Sequence, residues 1–137
     1  MADLAALLHR VVHELDRAAD VALRRELGLS NRRAVLLQVL AENPGVAQRQ
    51  LATLLGHTEA SVSALVRSLA DDGLVEIGSA DGRTKSLRVS GEGARLLRRA
   101  RALMDPRFAR LLEQADVDGD ELEQALTRLL AHLEARA

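Results

Sequence analysis

The sequence predicts a mainly α-helical fold that carries one short β-hairpin, and three observations predict it. Apolar residues recur at the i, i+3, i+4, i+7 spacing of helices along most of the chain. Helix-ending residues punctuate that pattern at Gly28, Asn43-Pro44-Gly45, Gly56 and Asp72-Gly73. One stretch, "SADGRTKSLRVS" at 79–90, abandons the Ala, Leu, Arg and Glu of its surroundings for an Asp-Gly turn and a short apolar alternation.

The elements follow in order. Residues 3 to 27 read as a long helix with Leu4, Leu7, Leu8, Val11, Val12, Leu15 and Ala19 on one stripe, ended by Gly28. Ser30 is the expected N-cap of a second helix, Asn31 to Glu42, with Ala34, Val35, Leu37 and Leu40 facing inward. Asn43-Pro44-Gly45 stops it, and a short third helix from Gln48 to Leu55 carries Leu51, Leu54 and Leu55. After the turn at Gly56-His57, Thr58 caps a fourth helix, Glu59 to Asp71, whose inward stripe is Val62, Leu65, Val66 and Leu69. Leu74–Ile77 and Ser86–Val89 are short alternating strands, joined by a Gly78–Lys85 loop expected to project. A fifth helix runs from Glu92 to Glu113, where Pro106 should kink or split it. Asp118 and Glu121 form an acidic capping pair opening a last helix to Ala135, with Leu122, Leu126, Leu129, Leu130 and Leu133 on its stripe.

Composition narrows the chemistry. At 137 residues the chain makes one domain, or one domain with helical extensions, with 47% hydrophobic and 28% charged residues, ordinary for a globular protein. Phe108 is the sole aromatic, so the core must be aliphatic and no aromatic platform exists for stacking bases. The absence of cysteine excludes disulfides, thiolate metal sites and thiol redox sensing. No apolar run reaches the roughly 18–20 residues that span a bilayer, and no signal-peptide pattern opens the sequence, so the expectation is a cytoplasmic protein without a membrane partner.

The formal net charge of −1 averages unlike parts. Between Ser30 and Ala100 ten basic residues oppose seven acids, while the flanks hold nine basic and thirteen acidic ones. A basic centre between acidic ends suits electrostatic steering by one surface.

That centre contains the functional constellation. The third and fourth helices meet at Leu55-Gly56-His57-Thr58, a short glycine-containing turn of the kind a helix-turn-helix unit requires. The outer face of the fourth helix offers Glu59, Ala60, Ser61, Ser63, Ala64 and Arg67. Small side chains let a helix enter the major groove, and hydroxyls and arginine donate to base edges and phosphates. Alone, this face would suit any amphipathic surface helix; the hairpin that follows changes the balance. Its tip holds Asp81, Arg83 and Lys85, and an arginine on a projecting hairpin can enter the negative minor groove, posed by a charge-assisted bond from Asp81. Arg88, Arg95, Arg98, Arg99 and Arg101 continue the positive ground.

The stretch from Leu29 to Gly93 resembles the winged helix-turn-helix of the MarR family of bacterial transcription regulators. The matching pieces are LSNRRAVLLQVLAENPG (29–45), QLATLLGHTEASVSALVRSLADDGLV (50–75) and DGRTKSLRVSGEG (81–93), the last being the most specific. The order of flanking helices also matches. The resemblance implies a single domain over 1–137, with a DNA-binding core at 29–93 and dimerisation helices at 1–28 and 94–137. It implies a homodimeric regulator, a repressor on a palindrome-like operator in double-stranded DNA, with a possible small-molecule effector of unknown identity. The DNA-facing set it implies is Thr58, Ala60, Ser61, Ser63, Ala64, Arg67, Asp81, Arg83 and Lys85; the dimerisation set is Leu4, Leu7, Leu8, Val11, Leu122, Leu126, Leu129 and Leu133. The chain differs from the family pattern where Ala64 replaces a frequent basic residue, Ala34 a frequent aromatic and Ala47 a capping hydroxyl, and it lacks the cysteine of peroxide-sensing members.

Other motifs are weaker. His9 and His13 share a helix face but lack a third metal ligand. "DVDGDE" (116–121) places its glycine at the wrong position for a calcium loop, and "GEGARL" (91–96) lacks the third glycine of a dinucleotide turn. No cofactor, metal site or catalytic residue is expected, and no enzyme. The competing reading is a winged-helix protein-interaction module that does not bind DNA.

Overall fold

The computed structural model describes residues 3–79, 82 and 85–136. The chain divides into two compact units, Met1–Arg101 and Ala102–Ala137.

The first unit opens with α1, Leu4–Leu27, capped by the Asp3 carboxylate, which accepts from the Ala6 N–H at 3.1 Å. Gly28, at φ 64°, ends it in the left-handed region, where a residue without Cβ meets no penalty. Only Ala22 and Leu23 of α1 are buried, so the helix joins the core through its last turns alone. Helix α2, Asn31–Glu42, is capped by Ser30 as expected and drives Leu36, Leu37 and Leu40 into the core. The inward face is thus rotated from the sequence expectation: Val35 is exposed and Leu36 takes the buried place. In α3, Gln48–Leu55, Leu51 and Ala52 are buried, whereas Leu54 is exposed. In both helices apolar residues are adjacent along the chain, and the tertiary neighbour decides which one is covered.

Helix α4, Glu59–Asp71, packs Val62, Val66 and Leu69 into the same aliphatic core as Leu36, Leu37, Leu40, Leu51 and Leu87. Beside it stands a three-stranded antiparallel sheet in the order β1-β3-β2, built from β1 (Val46–Ala47), β2 (Val75–Ser79) and β3 (Lys85–Val89). Strand β1 was not expected. Its two residues show no alternation of their own, and they become a strand because β3 offers partners, Val46 opposite Leu87 and Ala47 opposite Ser86. The hairpin register sets Val75 opposite Val89 and Ile77 opposite Leu87. Pairing continues to Gly78–Ser86 and Ser79–Lys85, so the connecting loop is shorter than the Gly78–Lys85 span expected.

Helix α5, Gly91–Gln114, runs across the boundary between the units and is not split at Pro106. Pro106 is exposed, where water can satisfy the carbonyl that loses its helical donor. In the second unit, α5 ends in a turn with Asp116 at φ 56°. The Val117 N–H reaches back to the Leu112 carbonyl and the Asp116 N–H to Glu113, the hydrogen-bond pair of a Schellman cap with aspartate in the glycine place. Helix α6, Gly119–Ala135, starts on Asp118, whose carboxylate accepts from the N–H groups of Asp120 and Glu121. Among the described residues no helix is long and apolar enough to cross a membrane.

Candidate nucleic-acid interface

The α3–α4 turn is closed by backbone and cap together. Gly56 adopts φ 67°, and the N–H groups of Gly56 and His57 return to the carbonyls of Thr53 and Ala52 at 3.1 Å. Thr58 then caps α4, its hydroxyl accepting from the Ser61 N–H at 3.1 Å. Helix α3 starts without a side-chain cap at Ala47; instead Gln50 Oε1 accepts from the Ala47 N–H at 3.3 Å.

With Val62, Val66 and Leu69 buried, the helix period turns Ala60, Ala64 and Arg67 outward, and all three are exposed. Ser61 and Ser63 fall on the two flanks and are half-buried. Thr58 is exposed at the start of the helix. The outer surface therefore carries two methyl groups and one guanidinium beside the exposed Glu59 and Ser68, and Arg67 has no ion-pair partner among the described residues. Lys85 is exposed at the start of β3. Asp81 and Arg83 lie outside the described residues, as does the expected bond between them.

The base of the hairpin explains why Ser90 and Gly93 stand where they do. The Ser90 hydroxyl donates to the Gly73 carbonyl at 2.6 Å and accepts from the Gly93 N–H at 3.0 Å, while the Ser90 N–H bonds the Leu74 carbonyl at 3.0 Å. One residue thereby ties the end of α4, the start of β2 and the first turn of α5. Gly93 passes so near the chain at Leu74 that a Cβ would run into the Leu74 carbonyl oxygen and lie 2.8 Å from Val89 Cγ1. Arg88, on the exposed side of β3 opposite Glu76, lays its guanidinium over Gly45.

Two interactions missed by sequence reasoning reach α4 from α2. Arg32 donates to Ser61 Oγ at 2.6 Å, and Arg33 pairs with Asp72 at the C-cap. The available signal was local: two cations in the first turn of a helix oppose its dipole and invite a search for their partners. Asp20 of α1 also reaches this turn, accepting from the Asn31 N–H at 2.9 Å and from Arg24 Nε at 2.8 Å. These two bonds, the backbone one first, hold the Asp20 carboxyl below its ordinary range. Next to it an open cleft of about 450 Å³ is lined by His13, Asp16, Arg17, Asp20, Arg24 and Arg32, among others. No group of three metal-binding side chains occurs among the described residues, so His9 and His13 remain a pair.

The residues expected to form the dimerisation set are mostly uncovered. Leu4, Leu7, Leu8 and Val11 are exposed along α1, and Leu126, Leu129 and Leu133 along α6, with Leu122 half-buried.

The sequence of residues 27–84 matches the family model of the MarR family. The likeness to the MarR family is thus carried by residues 27–84, from the end of α1 to the β2–β3 connection. The fold of the chain is shared by solved structures along nearly its whole length. Rv2887, a MarR-family protein of Mycobacterium tuberculosis in complex with salicylic acid, is 29% identical with a TM-score of 0.73, covering 97% of each chain. CouR from Rhodococcus jostii, bound to p-coumaroyl-CoA, is 29% identical with a TM-score of 0.79, covering 93% of this chain and 89% of its own. MepR of Staphylococcus aureus in a DNA complex is 24% identical with a TM-score of 0.77, covering both chains fully. Among curated proteins no sequence matches this chain.

Proposed function

We propose that this MarR-like chain acts as a homodimeric, sequence-specific DNA-binding transcription regulator, a repressor that occupies a palindrome-like operator. The observation that carries this reading is the outer face of α4. A capped turn presents a helix whose exposed residues include Ala60, Ala64 and Arg67, two of them small enough to enter a major groove and the third a guanidinium, beside the exposed Glu59 and Ser68. Lys85 and, from the sequence, Arg83 extend positive charge onto the hairpin. Phosphate contacts from these cations would supply most of the affinity and make it fall steeply with salt.

Dimerisation is supported by the exposed stripes of α1 and α6. Contiguous apolar surface of this kind marks an association site. A two-fold pair would set its recognition helices about one DNA turn, roughly 34 Å, apart. Response to an effector is supported by the cleft beside Asp20, by the salicylic acid bound in Rv2887 and by the p-coumaroyl-CoA bound in CouR.

Fluorescence anisotropy with duplexes from the region upstream of the protein's own gene tests the reading. The wild-type protein should bind one duplex well above a shuffled control. Arg83→Ala should weaken that binding by ~1–3 kcal/mol with melting unchanged. Equal, weak binding to every duplex would favour the protein-interaction module instead.

A further inference from the structure

Helix α2 begins Asn31-Arg32-Arg33, with no acidic residue in its first turn to offset two cations at the positive end of the helix dipole. Both arginines are engaged with α4. Arg32 Nη2 donates to Ser61 Oγ in the first turn of α4, and Arg33 donates to Asp72, the C-cap residue at the other end. Adjacent residues on a helix diverge by about 100°, so neighbouring side chains can reach both ends of a helix thirteen residues long. The grip is itself anchored. Ser30 Oγ accepts from the Arg33 N–H at 3.2 Å, and the Asp20 carboxylate of α1 accepts from the Asn31 N–H.

The chemistry of the Arg32 contact constrains what Ser61 can do. A guanidinium has donors and no acceptor, so Ser61 Oγ is the acceptor and its own hydroxyl proton is left over. No described residue accepts that proton. A helical serine or threonine commonly turns its proton onto the carbonyl four residues earlier, as Thr53 does onto Arg49 at 3.2 Å. Ser61 does not, and the cation occupying one of its lone pairs disfavours a second donor.

We infer that Arg32 is a positioning residue for DNA reading, holding Ser61 as an outward hydrogen-bond donor while Arg33, through Asp72, stops α4 from shifting along its axis. Ser61 then pairs with an acceptor on DNA: purine N7, guanine O6, thymine O4 or a phosphate oxygen. The inference rests on the DNA binding proposed above.

A double-mutant cycle tests it. Wild type, Arg32→Ala, Ser61→Ala and the double variant are titrated against one duplex of about 30 base pairs, enriched by the wild-type protein from a random pool, between about 50 and 200 mM KCl. Each single variant should lose about tenfold in affinity. The double variant should lose no more than either, the salt slope should not change, and all four proteins should melt alike. Discrimination relaxed at one base pair per half-site identifies a base acceptor, and uniform loss identifies a phosphate; either agrees with the inference. Losses that multiply to about a hundredfold, with a salt slope shallower by about one, would make Arg32 itself a phosphate contact and overturn it. So would an Arg32→Ala protein that binds like wild type, or one whose melting falls in step with its affinity. A wild-type protein that enriches no duplex overturns the regulator reading and this inference together, an outcome distinct from all the others.

Discussion

Helices α4 and α6 begin alike, with Thr58 accepting from the Ser61 N–H in one and Asp118 accepting from Asp120 and Glu121 in the other, and both carry an apolar stripe. In α4 the stripe is covered: Val62, Val66 and Leu69 are at most 1% exposed. In α6 no residue is buried, and Leu130 and Leu133 keep more than half of their surface in water. Periodicity writes the stripe in both cases, but covering it requires neighbours. Those of α4 come from Leu36, Leu37, Leu40, Leu51 and Leu87 of the same chain, whereas α6 has the stripe without the cover.

Glycine substitutions should separate the two regions most sharply. Gly93→Ala drives a methyl into the Leu74 carbonyl and the Val89 side chain, a contact only backbone movement can relieve. We expect a loss of about 4 kcal/mol or more, read by denaturant unfolding. Gly119→Ala meets only the flexible end of Leu112, at 3.2 Å, and gains helix propensity, so its effect should stay within about 1 kcal/mol of zero. Comparable losses at the two glycines would mean the second unit is packed as tightly as the first.

The exposed leucines give the next effect. Leu126→Asp places a charge in the α6 stripe, and Leu7→Asp does so in α1. If these stripes are dimer surface, sedimentation at micromolar concentration should show monomer or aggregate in place of dimer. An unaltered dimer would move the interface to another face. Leu69→Ala, in the covered stripe, should instead cost ~2–5 kcal/mol of unfolding free energy through the cavity it leaves.

The caps should give smaller and nearly equal effects. Thr58→Ala and Asp118→Ala each remove a side-chain acceptor from the first turn of a helix, and each should cost about 1 kcal/mol. Equality here, beside inequality at the glycines and leucines, would show that the helices differ in their cover and not in their local chemistry. A Thr58 loss several times the Asp118 loss would show that the α3–α4 turn depends on its cap for more than helix initiation.

This division also explains what was legible in the sequence. The ends of α2, α3 and α4 are written by Ser30, Gly56, Thr58 and Asn43-Pro44-Gly45, all acting within a few residues. The outer face of α4 was readable because three consecutive turns of buried aliphatic residues define its opposite. What needed a distant partner was not. Strand β1 exists through β3, the choice of Leu36 over Val35 is made by the core, and Arg32 meets Ser61 across 29 residues. Ser90 and Gly93 were legible as a pattern before their shared reason, the close pass of α5 over Leu74, was visible.

The smallest effect concerns a cap supplied from a distance. Asp20 stands eleven residues before Asn31, on α1, yet its carboxylate does for the first turn of α2 what Asp118 does for α6 from next door. The Asn31 N–H, and then the Arg24 side chain, favour its ionised form and lower its pKa. A carboxylate lowered on folding stabilises the folded state at every pH above its unfolded value, about 4, and loses that contribution as pH falls through its folded value. The melting difference between wild type and Asp20→Asn should therefore be constant from neutral pH down to about 5 and shrink towards zero below about 4. The wild-type advantage should also narrow at high salt, because Asp20 is part-exposed and its Arg24 partner more so. A difference that persists undiminished at the acid end would mean the side chain acts through its shape and not its charge, leaving α2 capped by Ser30 alone.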